Sequence, residues 1–347
     1  MKKIKKNDKK IFEGEEAVKD FLNPSSLGMI PVIELPSSLN PFKKDKVRIF
    51  IKLMQFVPLY NIKSLPSWSM LSGIPEKDIK KINHLVEYSS GNTVLSLTIL
   101  SRHFGVPHMH AIITPDVPEH KKRLLKLVGA ELLISHGPAC PDVNANIGGV
   151  YEAKTMGKKN GWHNMNQYIN PEIPKASAEY IGKELWQQLD GRMTIFASTI
   201  GTAGTICGAS SYLKKKKKDI FVAGATIKKG HEIPGPRGEE YIDKLAFPWS
   251  KTVDKAIPVD AVSAYKSSLD LIRLGLFVGP STGMILAMIL KMIKEMKKNK
   301  NLKNYRNKDG EVVIAFVSGD TMYPYIDEYF ETLPRKYFKE EKHLKNK

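Results

Sequence analysis

Three segments of this chain carry residue types that could together hold a phosphorylated aldehyde. Lys63 follows the apolar run Val47 to Leu53 and has apolar neighbours. Loss of hydration there would lower the pKa of its amine and favour attack on a carbonyl carbon. Ser89-Ser90-Gly91-Asn92-Thr93 and Gly201-Thr202-Ala203-Gly204-Thr205 each follow a strand-like run. The three segments supply an amine, a partner for a ring oxygen and a cradle for a phosphate.

The segment Gly201 to Thr205 combines small residues with hydroxyl groups. It lies between the strand-like run Thr194 to Ser198 and the helix-like run Ile206 to Leu213. Glycines let backbone N–H groups approach a phosphate closely, threonine hydroxyls add donors, and the N-terminus of the next helix is positive. These features predict a phosphate site. A tight strand-to-helix turn is an equally good interpretation of the five residues taken alone.

The segment Ser89 to Thr93 forms the same kind of junction between a strand and a helix. Serine and asparagine are preferred at helix N-termini, where the first backbone N–H groups have no partner within the helix. Such a loop could bind a substrate carboxylate while the amide of Asn92 bonds an oxygen of a cofactor. A plain capping loop is an equally good interpretation of this segment.

Short apolar runs alternate with segments of helical periodicity along most of the chain, which favours an open sheet built from strand–helix units. Helices are predicted from Val94 to His103 and from Glu119 to Leu127. The segment Pro141 to Asn170, rich in Asn, Gly and Lys, is interpreted as a return crossing between two sheets. Besides Val47 to Leu53, the predicted strands are His84 to Ser89, His110 to Thr114, Glu131 to Ser135, Thr194 to Ser198, Ile220 to Ala225 and Val312 to Val317.

Composition limits the class of protein. With 347 residues, 42% of them hydrophobic, the chain can bury one large core or two medium ones, so two domains are expected. The apolar runs are shorter than the ~20 residues that cross a bilayer, and the N-terminus lacks the apolar stretch of a signal peptide. Cys140 and Cys207 are too few for a disulfide framework or a structural zinc site. We therefore expect a cytoplasmic protein with no metal site and no membrane segment.

The net charge of +18 comes mostly from lysines spread over loops and both ends of the chain. Few arginines are present for bidentate contacts with phosphates or bases. The run Lys214 to Lys218 falls between a helix-like and a strand-like segment, where charged residues usually face solvent. The sequence therefore favours a protein that binds no nucleic acid.

The order of the motifs resembles a known enzyme family. Lys52-Leu-Met-Gln-Phe-Val-Pro-Leu-Tyr-Asn-Ile-Lys63 is followed about thirty positions later by Ser90-Gly-Asn-Thr93 and then by Gly201-Thr-Ala-Gly-Thr205. Together with Ile30-Pro-Val-Ile-Glu-Leu35 and Arg123-Leu-Leu-Lys-Leu-Val-Gly-Ala-Glu131, the pattern is similar to the cysteine synthase and cystathionine β-synthase group of fold type II pyridoxal-phosphate enzymes. The resemblance extends from about Pro31 to Glu331.

A second lysine, Lys46, lies in an imitation of the family's lysine motif, Asn40-Pro41-Phe-Lys-Lys-Asp-Lys46-Val-Arg48. It precedes the predicted strand and lies too far from the Ser-Gly-Asn-Thr loop, so Lys63 fits the family spacing and Lys46 does not. The family's Asn, Ser, Asp and Arg near the lysine correspond here to Val57, Asn61, Ser64 and Leu65. These departures leave the identity of the substrate open.

The resemblance implies pyridoxal 5′-phosphate as the cofactor and assigns roles to residues. Lys63 would bind the cofactor covalently and act in catalysis, and Asn92 would bond the pyridoxal 3′-oxygen. Ser318 would face the pyridine nitrogen, with Asp320 as a nearby alternative, and a neutral hydroxyl there favours loss of a β-substituent over transamination. The residues implied for the phosphate are Gly201, Thr202, Ala203, Gly204 and Thr205. Those implied for the substrate are Ser89, Ser90, Gly91, Thr93 and Gln167.

Two further positions affect these roles. Ala203 replaces the family's usual middle glycine, and its methyl group should be tolerable if φ is negative. The segment His231 to Gly238 resembles the family's mobile pocket loop and contains Glu232. If Glu232 points into the pocket it could activate a nucleophile or protonate departing sulfide, and His231 could act similarly. A loop glutamate that faces solvent is an equally good interpretation.

The resemblance implies an α/β fold of the tryptophan synthase β-like, fold type II class, with two open twisted sheets flanked by helices. We assign residues 1–56 and 170–335 to a larger domain that binds the cofactor phosphate. Residues 57–169 are assigned to a smaller, mobile domain and residues 336–347 to a lysine-rich tail that is expected to be frayed. A homodimer is implied by the resemblance alone.

The expected reaction is elimination or replacement of the β-substituent of a small amino acid. L-Cysteine, with release of hydrogen sulfide, is the favoured substrate. The alternatives are cysteine synthesis from an O-acetylserine-type substrate, a serine or threonine dehydratase and a serine racemase. An alternative from another class is a non-catalytic subunit of the same fold that serves in binding or regulation.

Overall fold

The computed structural model describes residues 10–137 and 142–340, which form two sheets with helices against their faces. Cys140 lies outside the described residues. The strands are β1 Val32–Glu34, β2 Val47–Lys52, β3 His84–Tyr88, β4 His108–Ile113, β5 Glu131–Ile134, β6 Trp162–Asn164, β7 Ile195–Thr199, β8 Phe221–Ile227, β9 Lys255–Val259 and β10 Val312–Val317. The α-helices are α1 Ala17–Leu22, α2 Ser64–Ser72, α3 Glu76–Ile79, α4 Asn92–Arg102, α5 Glu119–Leu127, α6 Gly148–Met156, α7 Glu172–Ser177, α8 Glu184–Gln188, α9 Gly204–Lys216, α10 Ala261–Ile272, α11 Pro280–Lys298 and α12 Ile326–Thr332.

The larger sheet has six strands in the order β1-β2-β10-β7-β8-β9. Only β1 runs antiparallel to its neighbour. All six residues of β10, Val-Val-Ile-Ala-Phe-Val, are buried, as expected for a central parallel strand covered on both faces. Val312, Ile314 and Phe316 join the core beneath α10 and α11. The alternate residues Val313, Ala315 and Val317 join a second core on the opposite face.

The smaller sheet has four parallel strands in the order β5-β4-β3-β6. One face of it, which includes Leu85 and Ala111, belongs to the same core as Val313 of the larger sheet. The two sheets are therefore joined by a continuous apolar core. The opposite face of the smaller sheet packs against α6 through Val86, Ile112 and Ala153.

The longest described helix, α11, shows how sequence pattern sets the packing. Its buried residues recur at helical spacing, and lysines and a glutamate occupy the other face. The buried face packs the helix against β7, β8 and β9 of the larger sheet. Within residues 10–137 and 142–340, no helix is both long enough and apolar enough to cross a membrane.

Each of the seven predicted strands overlaps an observed strand, and the two predicted helices correspond to α4 and α5. Three strands were not predicted, namely β1, β6 and β9. The segment 141–170 is more than a crossing, because its described part contains α6 and the edge strand β6. Part of the predicted tail is ordered, since the ring of Phe338 stacks on that of Phe330 with centroids 4.3 Å apart.

A buried lysine ties β2 to α8. Lys52 is completely buried, and its Nζ donates to Glu184 Oε2 at 2.6 Å, to Gln188 Oε1 at 2.9 Å and to the carbonyl oxygen of Ile30 at 3.2 Å. Burial lowers the pKa of the Lys52 amine, and the bond to Glu184 opposes that shift. Removing either charge would leave the other without compensation inside the protein.

We expect Lys52→Ala to lower the free energy of unfolding by about 3–5 kcal/mol, because Glu184 would keep a largely buried charge. Lys80→Ala removes an exposed ion pair with Glu76 and should change it by less than about 1 kcal/mol. Urea denaturation of both variants measures the difference. Equal losses in the two variants would contradict the importance of the buried pair.

Candidate active site

Lys63 lies between β2 and the start of α2, in a loop held by the side chain of Asn61. The Asn61 Oδ1 accepts from the backbone N–H of Lys63 at 3.0 Å and from the hydroxyl of Ser96 at 3.1 Å. The backbone N–H of Ile62 donates to the carbonyl oxygen of Gly319 at 2.7 Å. These bonds fix the lysine against the segment that follows β10.

The backbone just before Lys63 is strained. Leu59 and Tyr60 both have positive φ, 63° and 57°, which non-glycine residues rarely adopt. The Asn61 Nδ2 donates to the carbonyl oxygen of Leu59 at 2.8 Å, and Asn61 itself is buried. The replacement of the family's serine by Asn61 thus supplies a side chain that stabilises this turn.

The environment of Lys63 favours its neutral amine. The side chain is half-buried and lines a cavity between the two sheets. Burial, assisted by the positive charge of Arg237, lowers the pKa of the Lys63 amine to about 8. Lys46, by contrast, is exposed in the turn before β2 and lines neither of the cavities at Lys63.

The loop after β7 lines one side of the smaller of two neighbouring cavities that share several lining residues. Gly201, Thr202, Ala203 and Thr205 lie on its wall, and the thirteen-residue helix α9 begins at Gly204. A Cβ at position 201 would lie 3.0 Å from the carbonyl oxygen of Gly235, so a side chain there would require that neighbouring backbone to shift. A loop of small residues at the N-terminus of a long helix is suited to a phosphate group.

The condition under which the methyl group of Ala203 would be easily tolerated, a negative φ, is not met. Ala203 has φ of 70° and precedes the first residue of α9 in a left-handed conformation. Its Cβ pays a steric penalty that glycine would avoid. The substitution of alanine for the family's glycine therefore stores strain in the loop.

The segment Ser89 to Thr93 leads from β3 into α4, which begins at Asn92, and lines the larger cavity. The hydroxyl of Thr93 donates to Gln167 Oε1 at 2.8 Å, and the Gln167 Nε2 donates to the carbonyl oxygen of Tyr88 at 3.2 Å. All five substrate residues predicted from the sequence, Ser89, Ser90, Gly91, Thr93 and Gln167, thus line the same cavity as Lys63.

A buried carboxylate joins the two halves of the site. Asp320 Oδ2 accepts from Asn92 Nδ2 and from the hydroxyl of Tyr325, both at 2.6 Å, while its Oδ1 has no partner within the described residues. Burial raises the pKa of the Asp320 carboxyl to about 6, against the opposing effect of those two hydrogen bonds. A Cβ at Gly279 would collide with Oδ1, so this position has no room for a side chain.

Ser318 is completely buried and also lines the smaller cavity. Its hydroxyl donates to Gln55 Oε1 at 2.5 Å and lies 3.3 Å from the carbonyl oxygen of Lys52. With its hydrogen directed to these oxygens, the Ser318 oxygen is left as an acceptor toward the cavity. Ser318 and Asp320 both remain candidates to face a ring nitrogen.

The structure separates Glu232 from the other predicted residues. Glu232 and His231 are exposed, and neither lines the two cavities at Lys63. The neighbouring residues Pro234 and Gly235 do line both cavities. Glu232 therefore has no described contact that supports a catalytic role.

Several residues of the site were given no role by the sequence. Tyr325, Arg237 and Lys121 line the larger cavity beside Lys63. Arg237 was visible as the one cationic side chain in the predicted pocket loop after Gly235. Nothing in the local sequence marked Tyr325 or Lys121, because their positions depend on how α5 and the segment before α12 pack. Among the described residues, no group of three or more His, Cys, Asp or Glu side chains could hold a metal ion.

Comparisons with known proteins identify relatives of most of the chain. The family model described as pyridoxal-phosphate dependent enzyme matches residues 25–304. The cysteine synthase of Aquifex aeolicus (strain VF5) is 27% identical over 304 residues, which are 86% of this chain and 88% of that protein. Cysteine synthase B of Escherichia coli (strain K12) is 27% identical over 273 residues, or 78% of this chain and 86% of that protein.

Solved structures show the same fold. O-ureido-L-serine synthase superposes with a TM-score of 0.73 at 20% identity and covers 90% of this chain and 94% of its own. Cysteine synthase from Entamoeba histolytica superposes with a TM-score of 0.72 at 23% identity. The match covers 93% of this chain and 92% of the Entamoeba chain. The predicted fold class, two open sheets flanked by helices, is confirmed.

The amine of Lys63 should titrate near pH 8 in the cofactor-free protein. We expect its modification by an amine-specific acylating reagent to rise with pH around a midpoint of about 8, because only the neutral amine reacts. Arg237→Gln removes a nearby positive charge and should move the midpoint upward. Peptide mass spectrometry quantifies the modification. Arg306→Gln, outside the site, should leave the midpoint unchanged, and an equal shift in both variants would refute the local effect.

The strain at Ala203 can be measured with two identical substitutions. Ala203→Gly should raise the free energy of unfolding by up to about 1 kcal/mol, since relief of the left-handed alanine exceeds the extra freedom of glycine in the unfolded chain. Ala209→Gly, inside α9, should lower it by about 1 kcal/mol or more. Urea denaturation compares them, and destabilisation by Ala203→Gly would show that the position is not strained.

Proposed function

Because the chain belongs to the family of pyridoxal-phosphate-dependent enzymes, we propose that it replaces the β-substituent of an activated serine to form cysteine. The observation that carries this proposal is the position of Lys63, whose depressed pKa favours a neutral amine between a phosphate-type loop and a carboxylate-type loop. The cysteine synthases among its relatives support the same reaction class. The prediction of a pyridoxal-phosphate-dependent enzyme is confirmed by the family match.

The exposure of Glu232 weakens the case for cysteine degradation. The preference for sulfide release from cysteine depended partly on a glutamate in the pocket, and Glu232 is exposed instead. That argument for a cysteine-degrading enzyme therefore loses its support. Synthesis of cysteine, the alternative predicted from the sequence, is the function that we propose.

The residues of the smaller cavity fit the cofactor. The loop from Gly201 to Thr205 would hold its phosphate, Asn92 would bond its 3′-oxygen, and Lys63 would attach it. Ser318 or Asp320 would face its ring nitrogen. When bound, pyridoxal phosphate supplies an electron sink that stabilises negative charge at the α-carbon of an amino acid.

The Nζ of Lys63 would accept the α-proton of the substrate and later return it. A general base works best when its pKa lies near the working pH, and a value of about 8 meets that condition. The apolar core below the loop and the hydrogen bonds of Asn61 limit the movement of the lysine. They would keep Nζ aimed at one face of the substrate.

The loop from Ser89 to Thr93 would bind the substrate α-carboxylate. It combines backbone N–H groups at the start of α4 with the hydroxyls of Ser89 and Ser90. The bond between Thr93 and Gln167 fixes one side of this loop. A carboxylate held here would present the α-carbon and β-carbon to Lys63.

The predicted homodimer, the two-domain division and the cytoplasmic location remain predictions.

The test is turnover of O-acetyl-L-serine with sulfide by the loaded protein, with cysteine identified by mass spectrometry. Lys63→Ala should lower the rate by at least about 10²–10⁴-fold, the range for loss of a general base. Lys46→Ala is the matched control and should retain full activity, because Lys46 is exposed outside the cavities.

Three outcomes would contradict this function. Sulfide release from L-cysteine alone, without cysteine synthesis, would establish degradation. Formation of 2-oxobutyrate from threonine would establish a dehydratase. Full activity of Lys63→Ala would remove the assigned role of Lys63.

A further inference from the structure

The larger cavity beside Lys63 carries more positive charge than one α-carboxylate requires. It encloses about 300 Å³, and its described lining contains the cationic side chains Lys121 and Arg237, besides Lys63, but no aspartate or glutamate. In the proposed function Lys63 serves the cofactor and the loop from Ser89 to Thr93 serves the carboxylate. Lys121 and Arg237 are left without a role.

Backbone hydrogen bonds hold Arg237 against the larger sheet. Its backbone N–H donates to the carbonyl oxygen of Ile200, and its carbonyl oxygen accepts from the N–H of Ile227, both at 2.8 Å. Ile200 directly follows β7 and Ile227 ends β8, so the arginine is anchored to two neighbouring strands of the larger sheet. Its guanidinium therefore occupies a defined position at the cavity wall.

The charge of Arg237 has no acidic partner among the residues that the structure describes. Its Nη2 donates to the hydroxyl of buried Tyr168 at 3.0 Å, which uses one of five N–H donors. Lys121 differs, because its Nζ lies 3.0 Å from Glu328 Oε1. Arg237 is thus the lining cation whose charge is left for a ligand.

A guanidinium with free donors matches the two oxygens of a phosphate or carboxylate group. We propose that Arg237 selects amino-acid substrates whose β-substituent is itself an anion. A phosphate ester of serine is the representative substrate. This inference rests on the proposed function and specifies its leaving group. An acetyl ester would offer Arg237 no charge to bind.

The reaction balances without an oxidant or reductant. The bond between the β-carbon and the ester oxygen breaks, and phosphate leaves with the bonding electrons and takes up one proton from solvent. The sulfur of hydrosulfide then bonds to the β-carbon, and the α-proton taken by Lys63 Nζ returns to the α-carbon. The products are cysteine and inorganic phosphate.

Binding to the loaded protein tests the anion site apart from turnover. The probes are L-2-amino-3-phosphonopropanoate, which has no leaving group, and the uncharged L-2-aminobutyrate, both followed by isothermal titration. The phosphonate should bind at least about tenfold more tightly, and Arg237→Gln should weaken it by about 10- to 100-fold, the range for loss of a charged hydrogen-bond partner. Arg237→Lys should restore part of the affinity.

Two control variants distinguish direct binding of the anion by Arg237 from an indirect structural effect. Tyr168→Phe removes the hydroxyl that holds the guanidinium but leaves the charge and backbone anchors, so the preference for the phosphonate should persist. Arg306→Gln removes a distant arginine and should not change the preference for the phosphonate. Equal affinity of the two probes in the unchanged protein, or equal losses in Tyr168→Phe and Arg237→Gln, would overturn the inference.

Turnover with sulfide distinguishes this inference from the proposed function. A higher kcat/KM for O-phospho-L-serine than for O-acetyl-L-serine supports both. Turnover of the acetyl ester alone would overturn the inference and leave the function standing. A phosphonate preference that depends on Arg237, with no turnover of either ester, would support the anion site and overturn the function.

Discussion

The site depends on a backbone contact between two loops that leave neighbouring strands. Strands β2 and β10 are paired in parallel as far as Lys52 and Val317, so the loops after them start side by side. The N–H of Ile62 then bonds the carbonyl oxygen of Gly319, and Asn61 pairs with Asp320. Lys63 and the buried carboxylate are consequently held at fixed positions by main-chain atoms.

The electrostatics of the site follow from this arrangement. The cavities combine a lysine with a lowered pKa, an aspartate with a raised pKa and an arginine without an acidic partner in the described residues. Burial is the first cause of both pKa shifts. A region of low effective polarity strengthens each remaining charge interaction, so small anionic groups would be bound strongly here.

Much of this arrangement could be predicted from residue order. The apolar run before Lys63, the small residues after β7 and the strand–helix alternation are local features, and local features are visible in sequence. The φ of Ala203 and the exposure of Glu232 are set by the paths of loops, which no periodicity encodes. The role of Asn61 was also hidden, because its partners include Ser96 on a distant helix.

The contact between Gly279 and Asp320 restricts how the chain can change over evolution. Oδ1 of Asp320 occupies the space that any Cβ at position 279 would need. A side chain at 279 can therefore become established only in descendants that have first lost or shortened the acid at 320. The two positions should covary, with glycine at the first wherever an aspartate with this orientation occupies the second.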